Sequence, residues 1–343
     1  MRSKTVVLFL WDVDKDLKSH FRKKFLRHKN ISLVFPKDLR EDSLLKLSRK
    51  ADVMIGWRPS LKLLQNAENL KLFINPGTGI KHHIKNFREL TKTSSAVLVN
   101  GHGHAYATAQ HAAAMLLALM NRIVSHHNYM TEGIWRVSDD KDIFSSSVQL
   151  RNRKIGLLGY GAINKHVHRF LSGFDNEFNV LRQSWSKVKE DYPTKIKKFR
   201  TKDLLKFLKE SDILIIAVPQ TSLTEDMIKA KELRALGKKG LLVNVARGTI
   251  VNETDLYNAL KNNEIAGAAI DVWYNYSPKK DKQGRQFPAS MPFHKLRNVL
   301  LSPHRAASPF NDLSRWEEVF ENILKASRGR KDFLNIVDLN KEY

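Results

Sequence analysis

The sequence predicts an α/β protein made of two doubly wound parallel-sheet domains, Rossmann-like or flavodoxin-like, with a cleft between them. Three observations carry that expectation. Short apolar runs of strand length alternate with helix-period segments along the whole chain. One such run passes directly into a glycine-bearing turn, Gly159-Tyr160-Gly161-Ala162-Ile163-Asn164. The 343 residues also exceed what one hydrophobic core usually organises.

In chain order, the first half offers strands near residues 6–11, 31–35, 53–57, 72–75 and 97–100, with amphipathic segments between them. Residues 18–29 read as a helix whose apolar face is Phe21, Phe25 and Leu26, with Lys and Arg opposite. A long apolar helix is expected over 107–124. A second strand series follows near 154–159, 178–181, 213–218, 241–245, 266–272 and 299–302. The chain closes with a helix, RWEEVFENILKAS, and a short extended tail.

Composition narrows the class. Hydrophobic residues make up 42% and charged residues 27%, as in soluble globular proteins, and no repeat or low-complexity tract appears. Residues 6–11 are too short for a signal-peptide core, and no apolar stretch reaches the roughly 18 residues of a membrane span. There is no cysteine, which removes disulfides and thiolate chemistry. A cytoplasmic protein with no membrane partner is expected. The net charge of +24 attracts polyanions, but its residues are spread along the chain, as in the basic stretch 187–202. Nucleic acid is therefore an unlikely partner by this reading. His82-His83 and His126-His127 lack the third ligand of a metal site, and no metal is expected. His166 and His168, two apart on a helix, face different ways.

The glycine turn is a dinucleotide signal. Gly159 permits the tight turn, and Gly161 lets a pyrophosphate approach the backbone where the helix opening at Ala162 and Ile163 presents its amides. Asn164 takes the third glycine's place; alone, the motif also fits an ordinary strand-to-helix turn. A site selective for NAD ends its second strand with an acid about 20 residues on. Residues 180–187 contain none and carry Arg182, Ser184 and Lys187 instead, donors suited to a 2′-phosphate. NADP(H) is preferred, with NAD(H) possible and a plain surface role the alternative for the two cations.

The stretch LLVNVARGTIVNETDLYNALKNNEIAGAAIDVW (241–273), followed by NVLLSPHRAA (298–307), resembles the D-isomer-specific 2-hydroxyacid dehydrogenase family. SDILIIAVPQTSLTEDMI from Ser211, NGHGHAYATAQHAAAMLLAL from Asn100 and NPGTGIKHH from Asn75 extend the likeness over nearly the whole chain. The resemblance implies a discontinuous substrate domain (1–104 and 305–343), a dinucleotide-binding domain (105–304), an active site in the cleft and a homodimer. It implies hydride transfer between NAD(P)H and a small 2-oxo or 2-hydroxy acid, in the manner of glyoxylate/hydroxypyruvate reductases. Arg247 matches the arginine that binds the substrate carboxylate, and His304 the general acid/base, roles their chemistry suits. Gly77, Thr78 and Gly79 match the carboxylate-binding loop, and His104 falls where formate dehydrogenases carry a substrate-binding Asn. Thr108, Val218, Pro219, Val245, Ala246 and Asp271 match cofactor-lining positions, with Arg247 and His304 bordering the same space.

Two departures stand out. The family's catalytic Glu, five positions beyond Asp271, is replaced by Tyr276, with Asn275 and Ser277 as register alternatives. The family's Ala-Glu-His motif reads Ala109-Gln110-His111. These leave room for a formate-type dehydrogenase, which needs no proton transfer, or for a cofactor-sensing corepressor.

Overall fold

The computed structural model describes residues 4–135, 146–186, 191–307 and 312–343. The chain divides into two compact units, Met1–His104 with Pro309–Tyr343, and Ala105–Ser308.

The first unit is built from β1 (Thr5–Phe9), α1 (Lys15–Phe25), β2 (Ile31–Val34), α2 (Glu41–Ser48), β3 (Val53–Ile55), α3 (Leu61–Gln65), β4 (Leu72–Asn75), α4 (Lys81–Leu90) and β5 (Val97–Asn100). The strands pair in parallel in the order β2-β1-β3-β4-β5. Those of β3 and β4 are wholly buried, which is why they read as unbroken apolar runs rather than alternations. The apolar runs overshoot the ladders: Trp11 and Trp57 lie beyond the last paired residues, in the loops at the strands' C-terminal ends. In α1, capped by the Asp14 side chain accepting from Leu17 N at 2.8 Å, the buried stripe is Leu17, Phe21 and Phe25. Leu26, assigned to that stripe from the sequence, is 78% exposed. At 3.6 residues per turn it lies about 140° round the helix from Phe21, off the covered face.

The second unit opens with α5 (Ala105–Met120) and α6 (Ile123–Thr131), then β6 (Lys154–Leu158), α7 (Ala162–Leu171), β7 (Glu177–Arg182), β8 (Ile196–Arg200), α8 (Leu204–Lys209), β9 (Ile213–Ile216), α9 (Ala230–Leu236), β10 (Leu241–Asn244), α10 (Glu253–Lys261), β11 (Gly267–Ile270) and β12 (Val299–Leu301). All its strands are parallel, in the order β12-β11-β10-β9-β6-β7-β8. After it α11 (Glu317–Ser327) lays Val319, Phe320 and Ile323 on the first unit's core beside Phe9 and Phe21.

Two expectations are corrected here. The single apolar helix over 107–124 is two helices, because Arg122 adopts the left-handed conformation (φ 54°) and breaks the hydrogen-bond ladder after Met120. Strand β8, within the stretch read only as basic surface, is the edge of the sheet: Phe199 alone is buried, and Lys197, Lys198 and Arg200 face solvent. No described helix is long and apolar enough to cross a membrane.

Candidate functional site

Strand β6 delivers the glycine turn. Gly159 has φ 82°, and a Cβ there would lie 2.7 Å from Val218 Cγ1 and 2.8 Å from the Ala217 carbonyl, so both conformation and space demand glycine. Gly161, the N-cap of α7, faces open space, with no atom within 4 Å of where its Cβ would stand. That opening at a helix N-terminus is the shape a pyrophosphate fills, so these residues fit a dinucleotide. Ala162 and Ile163 open the helix, and Val218 and Pro219 follow β9. Asn164 is fully buried, and its Nδ2 donates to Gly159 O (2.7 Å) and Leu158 O (3.3 Å). It braces the turn from below, a role that counting glycines does not reveal. His168 is a satisfied core histidine: Nδ1 meets Tyr160 OH at 2.7 Å, Nε2 meets Thr194 Oγ1 at 2.8 Å, and burial pushes it down to about 4.

At the end of β7, the Arg182 guanidinium lies 5.4 Å over the Trp185 ring, and Lys198 of β8 lies 5.0 Å over the same ring. Trp185 Nε1 donates to Phe199 O at 2.8 Å, which ties this platform to the edge strand. Ser184 and Ser186 pair through their hydroxyls at 2.7 Å. Lys187 lies outside the described residues. Lys198 was invisible as a site residue because its strand was.

The reactive side chains follow β10, β11 and β12. Asn244 holds the turn after β10, with Nδ2 donating to Arg247 O (3.0 Å) and Oδ1 accepting from Ala246 N (3.1 Å). Val245 and Ala246 are buried, as is Thr108 on α5. Gly248 is pressed against Trp273, whose carbonyl would be 2.4 Å from any Cβ. This fixes where Arg247 emerges. Burial lowers Arg247 from its usual value, with Tyr276 nearby acting the other way.

Asp271 is held deep within this unit. Read as lining the cofactor, it has no exposed surface, and its carboxylate accepts from Ser302 Oγ, Arg305 N (2.8 Å) and Ala306 N (3.1 Å), with His111 Nε2 at 3.6 Å. It therefore clamps the loop that carries His304. His111 also meets Ser302 Oγ at 2.9 Å, so the histidine of the altered Ala-Gln-His motif belongs to the same clamp. His304 itself has φ 57°, a conformation sparsely used by residues with a side chain. Burial lowers its pKa, the Arg247 charge lowers it further, and Asp271 opposes both. Tyr276 stands beside it, ring centroids 5.3 Å apart and tilted by 57°, while the phenol oxygen accepts from Trp273 N at 3.3 Å. Burial raises the Tyr276 phenol, leaving it a neutral neighbour.

In the first unit, Gly77, Thr78 and Gly79 follow β4 and come together with His104: Thr78 Oγ1 is 2.9 Å from His104 Nε2 and 3.1 Å from Gly101 O. Asn75 and Asn100, missed by motif matching, hold the loop from the strand ends. Asn100 Nδ2 donates to Thr78 O at 2.8 Å, and Asn75 Nδ2 donates to Gly77 O and, at 3.3 Å, to Gly79 O. Among the described residues no group of three His, Asp or Glu is placed to hold a metal.

A doubly wound sheet with a glycine turn at a helix N-terminus, and an arginine and a histidine past the ends of two strands that flank a third, defines a dinucleotide-dependent oxidoreductase. Residues 113–306 match the family model for the D-isomer specific 2-hydroxyacid dehydrogenase NAD binding domain. A glyoxylate reductase of Thermofilum pendens is 30% identical over 84% of this chain and 82% of its own. One of Korarchaeum cryptofilum is 34% identical over 65% of this chain and 63% of its own. An NADPH-dependent glyoxylate/hydroxypyruvate reductase of Sinorhizobium meliloti, solved with NADP and sulfate, shares the fold at TM-score 0.77 with 18% identity, covering 99% of this chain and 100% of its own. The chain belongs to the D-isomer specific 2-hydroxyacid dehydrogenase family. It is a nicotinamide-dependent oxidoreductase that transfers a hydride between its cofactor and a small 2-hydroxy or 2-oxo acid.

Proposed function

We propose that the protein reduces a small 2-oxo acid, of the glyoxylate or hydroxypyruvate kind, with NADPH in preference to NADH. The observation that carries this is the cluster of Arg247, Tyr276 and His304, held in one unit by the buried Asp271 clamp. Arg247 anchors the carboxylate through parallel N–H donors and draws electron density from the 2-oxo group. In the first unit the Gly77–Gly79 loop offers backbone amides suited to a carboxylate, and His104 orients it through Thr78. A dinucleotide whose pyrophosphate rested along Gly159, Gly161 and the start of α7 would supply the hydride from its nicotinamide. A ring N–H of His304 gives its proton to the oxygen as the carbonyl becomes a hydroxyl, and in the reverse direction the neutral ring takes that proton back. Tyr276 packs beside the imidazole and orients it without adding charge.

Arg182, Ser184 and Lys198 around Trp185 favour the 2′-phosphate of NADPH. The first unit takes the substrate role and the second the cofactor role, in a cytoplasmic homodimer. The test is NADPH consumption with glyoxylate or hydroxypyruvate offered as oxidant, set beside NADP+ reduction with formate offered as hydride donor. Reduction of the 2-oxo acids, faster in kcat/KM with NADPH than with NADH, is expected, and His304→Gln should lower kcat by about 100-fold or more. Turnover with formate alone, or native rates in His304→Gln, would overturn the reading.

A further inference from the structure

We infer that His82 and His83, adjacent at the start of α4, are a positioning pair for the 2-oxo acid subsite: His83 fixes the Gly77–Gly79 loop through Asn75, and His82 fixes the chain at Trp57. The inference rests on the reading that this loop receives the substrate carboxylate. In the sequence the pair resembles half a metal site, and the structure gives both rings another occupation.

His83 is 2% exposed and lies among apolar rings, 5.2 Å from Phe73 and 6.1 Å from Phe87. An imidazole in such a place needs a polar partner, and its Nε2 stands 3.1 Å from Oδ1 of the fully buried Asn75. The orientation of that amide follows from its surroundings. Its nitrogen serves two carbonyls, Gly77 O and Gly79 O, which can only accept, so its oxygen faces the ring and the ring nitrogen donates. Burial, reinforced by His82 and Arg58, pushes His83 down to about 3, so the ring is neutral at ordinary pH.

The consequence is geometric. Asn75 draws in the carbonyls of Gly77 and Gly79, Asn100 draws in that of Thr78, and Gly101 N adds a bond to Gly77 O at 3.3 Å. In a trans peptide the N–H points opposite to the C=O. Turning these three oxygens into the protein turns the N–H groups of Thr78, Gly79 and Ile80 the other way, as a row of donors suited to a carboxylate.

The second ring sets the wall beside that row. His82 Nε2 donates to Trp57 O, and the two imidazoles lie tilted by 43° with centroids 4.1 Å apart. Trp57 borders the loop, its Nε1 3.7 Å from where a Cβ on Gly77 would stand. Its indole is 38% exposed and backed by Trp11, edge to face at 4.8 Å, which in turn stacks on Trp316 at 5.9 Å. Trp57 is thus the open end of an aromatic stack next to the donor row, placed for the side group of a 2-oxo acid.

The experiment compares His83→Phe, which fills the volume but cannot donate, with His83→Gln, whose amide nitrogen reaches the same point. It reads steady-state kinetics with glyoxylate and binding of oxamate, an unreactive 2-oxo acid mimic, to the NADPH-loaded protein. In His83→Phe, KM and the oxamate Kd should rise about tenfold, with kcat within about twofold of native and NADPH affinity unchanged; His83→Gln should recover most of the loss. His82→Leu should reduce kcat/KM for phenylpyruvate more than for glyoxylate. If His83→Phe does not fold, Asn75→Ser cuts the same link with His83 in place. Native oxamate affinity in His83→Phe, a loss of kcat with KM unchanged, or no recovery in His83→Gln overturns the inference. If native protein reduces no 2-oxo acid while oxamate binding still weakens in His83→Phe, the positioning role stands and the reaction assigned above falls.

Discussion

His304 combines a left-handed backbone with a side chain whose protonated form is disfavoured by burial and by Arg247. Asp271 acts on both features: it accepts the N–H groups of Arg305 and Ala306 just past the strained residue, and its negative charge favours the protonated ring against burial and Arg247. The pH consequence follows in sign. With its pKa below the usual 6.5, the acid form of His304 is depleted as pH rises through and beyond that lowered value, so kcat/KM for reduction should fall toward high pH while oxidation gains. Tyr276→Glu would place a carboxylate where a neutral phenol now stands. A nearby negative charge favours the imidazolium, so the falling limb of the reduction profile should move to higher pH by about one unit. An unmoved profile in Tyr276→Glu would show that position 276 does not act on His304. The family resemblance carried by NVARG, AIDVW and SPH is what singled out Arg247, Tyr276 and His304 as candidates. The buried Asn75, Asn100 and Asn164 were not legible, since an asparagine that braces a turn looks like any polar residue until the carbonyls it serves are in place.

At the scale of elements, strands with both faces covered declared themselves, because burial on two sides writes a continuous apolar run. Strand β8 did not: Ile-Lys-Lys-Phe-Arg pays out its charges to solvent at the sheet's margin, and one buried Phe199 is too little signal. Helix α1 shows the finer limit of periodicity. Phe25 and Leu26 are neighbours of equal apolar character, yet one is 6% exposed beside Phe320 and the other 78%. Phe25→Ala should therefore cost about 3–5 kcal/mol in unfolding free energy, and Leu26→Ala no more than about 0.5 kcal/mol, measured as denaturant midpoints at a common slope. Equal losses would mean that Leu26 is covered in solution. The break after Met120 was equally hidden, since Arg122 is not a residue that marks a left-handed turn.

For the molecule as a whole, the net charge of +24 acts on small anions as well as on the fold. Both the proposed acid and NADPH are negative, so kcat/KM should fall several-fold as salt is raised from low to physiological ionic strength, with kcat little changed. A flat salt response would confine the charge to a solubility role. Helix α6 contrasts with this cationic surface: none of its residues is buried, and Ile123, Val124 and Met130 are all about half exposed or more. Strand β8 then bears on how copies of the chain can meet. Two identical edges joined about a two-fold axis would crowd Lys197, Lys198 and Arg200 of one copy beside the same three cations of the other, like sign close to like along one ladder. A sheet continuous through two copies is thereby disfavoured, and self-association is directed to surfaces with no such self-repulsion.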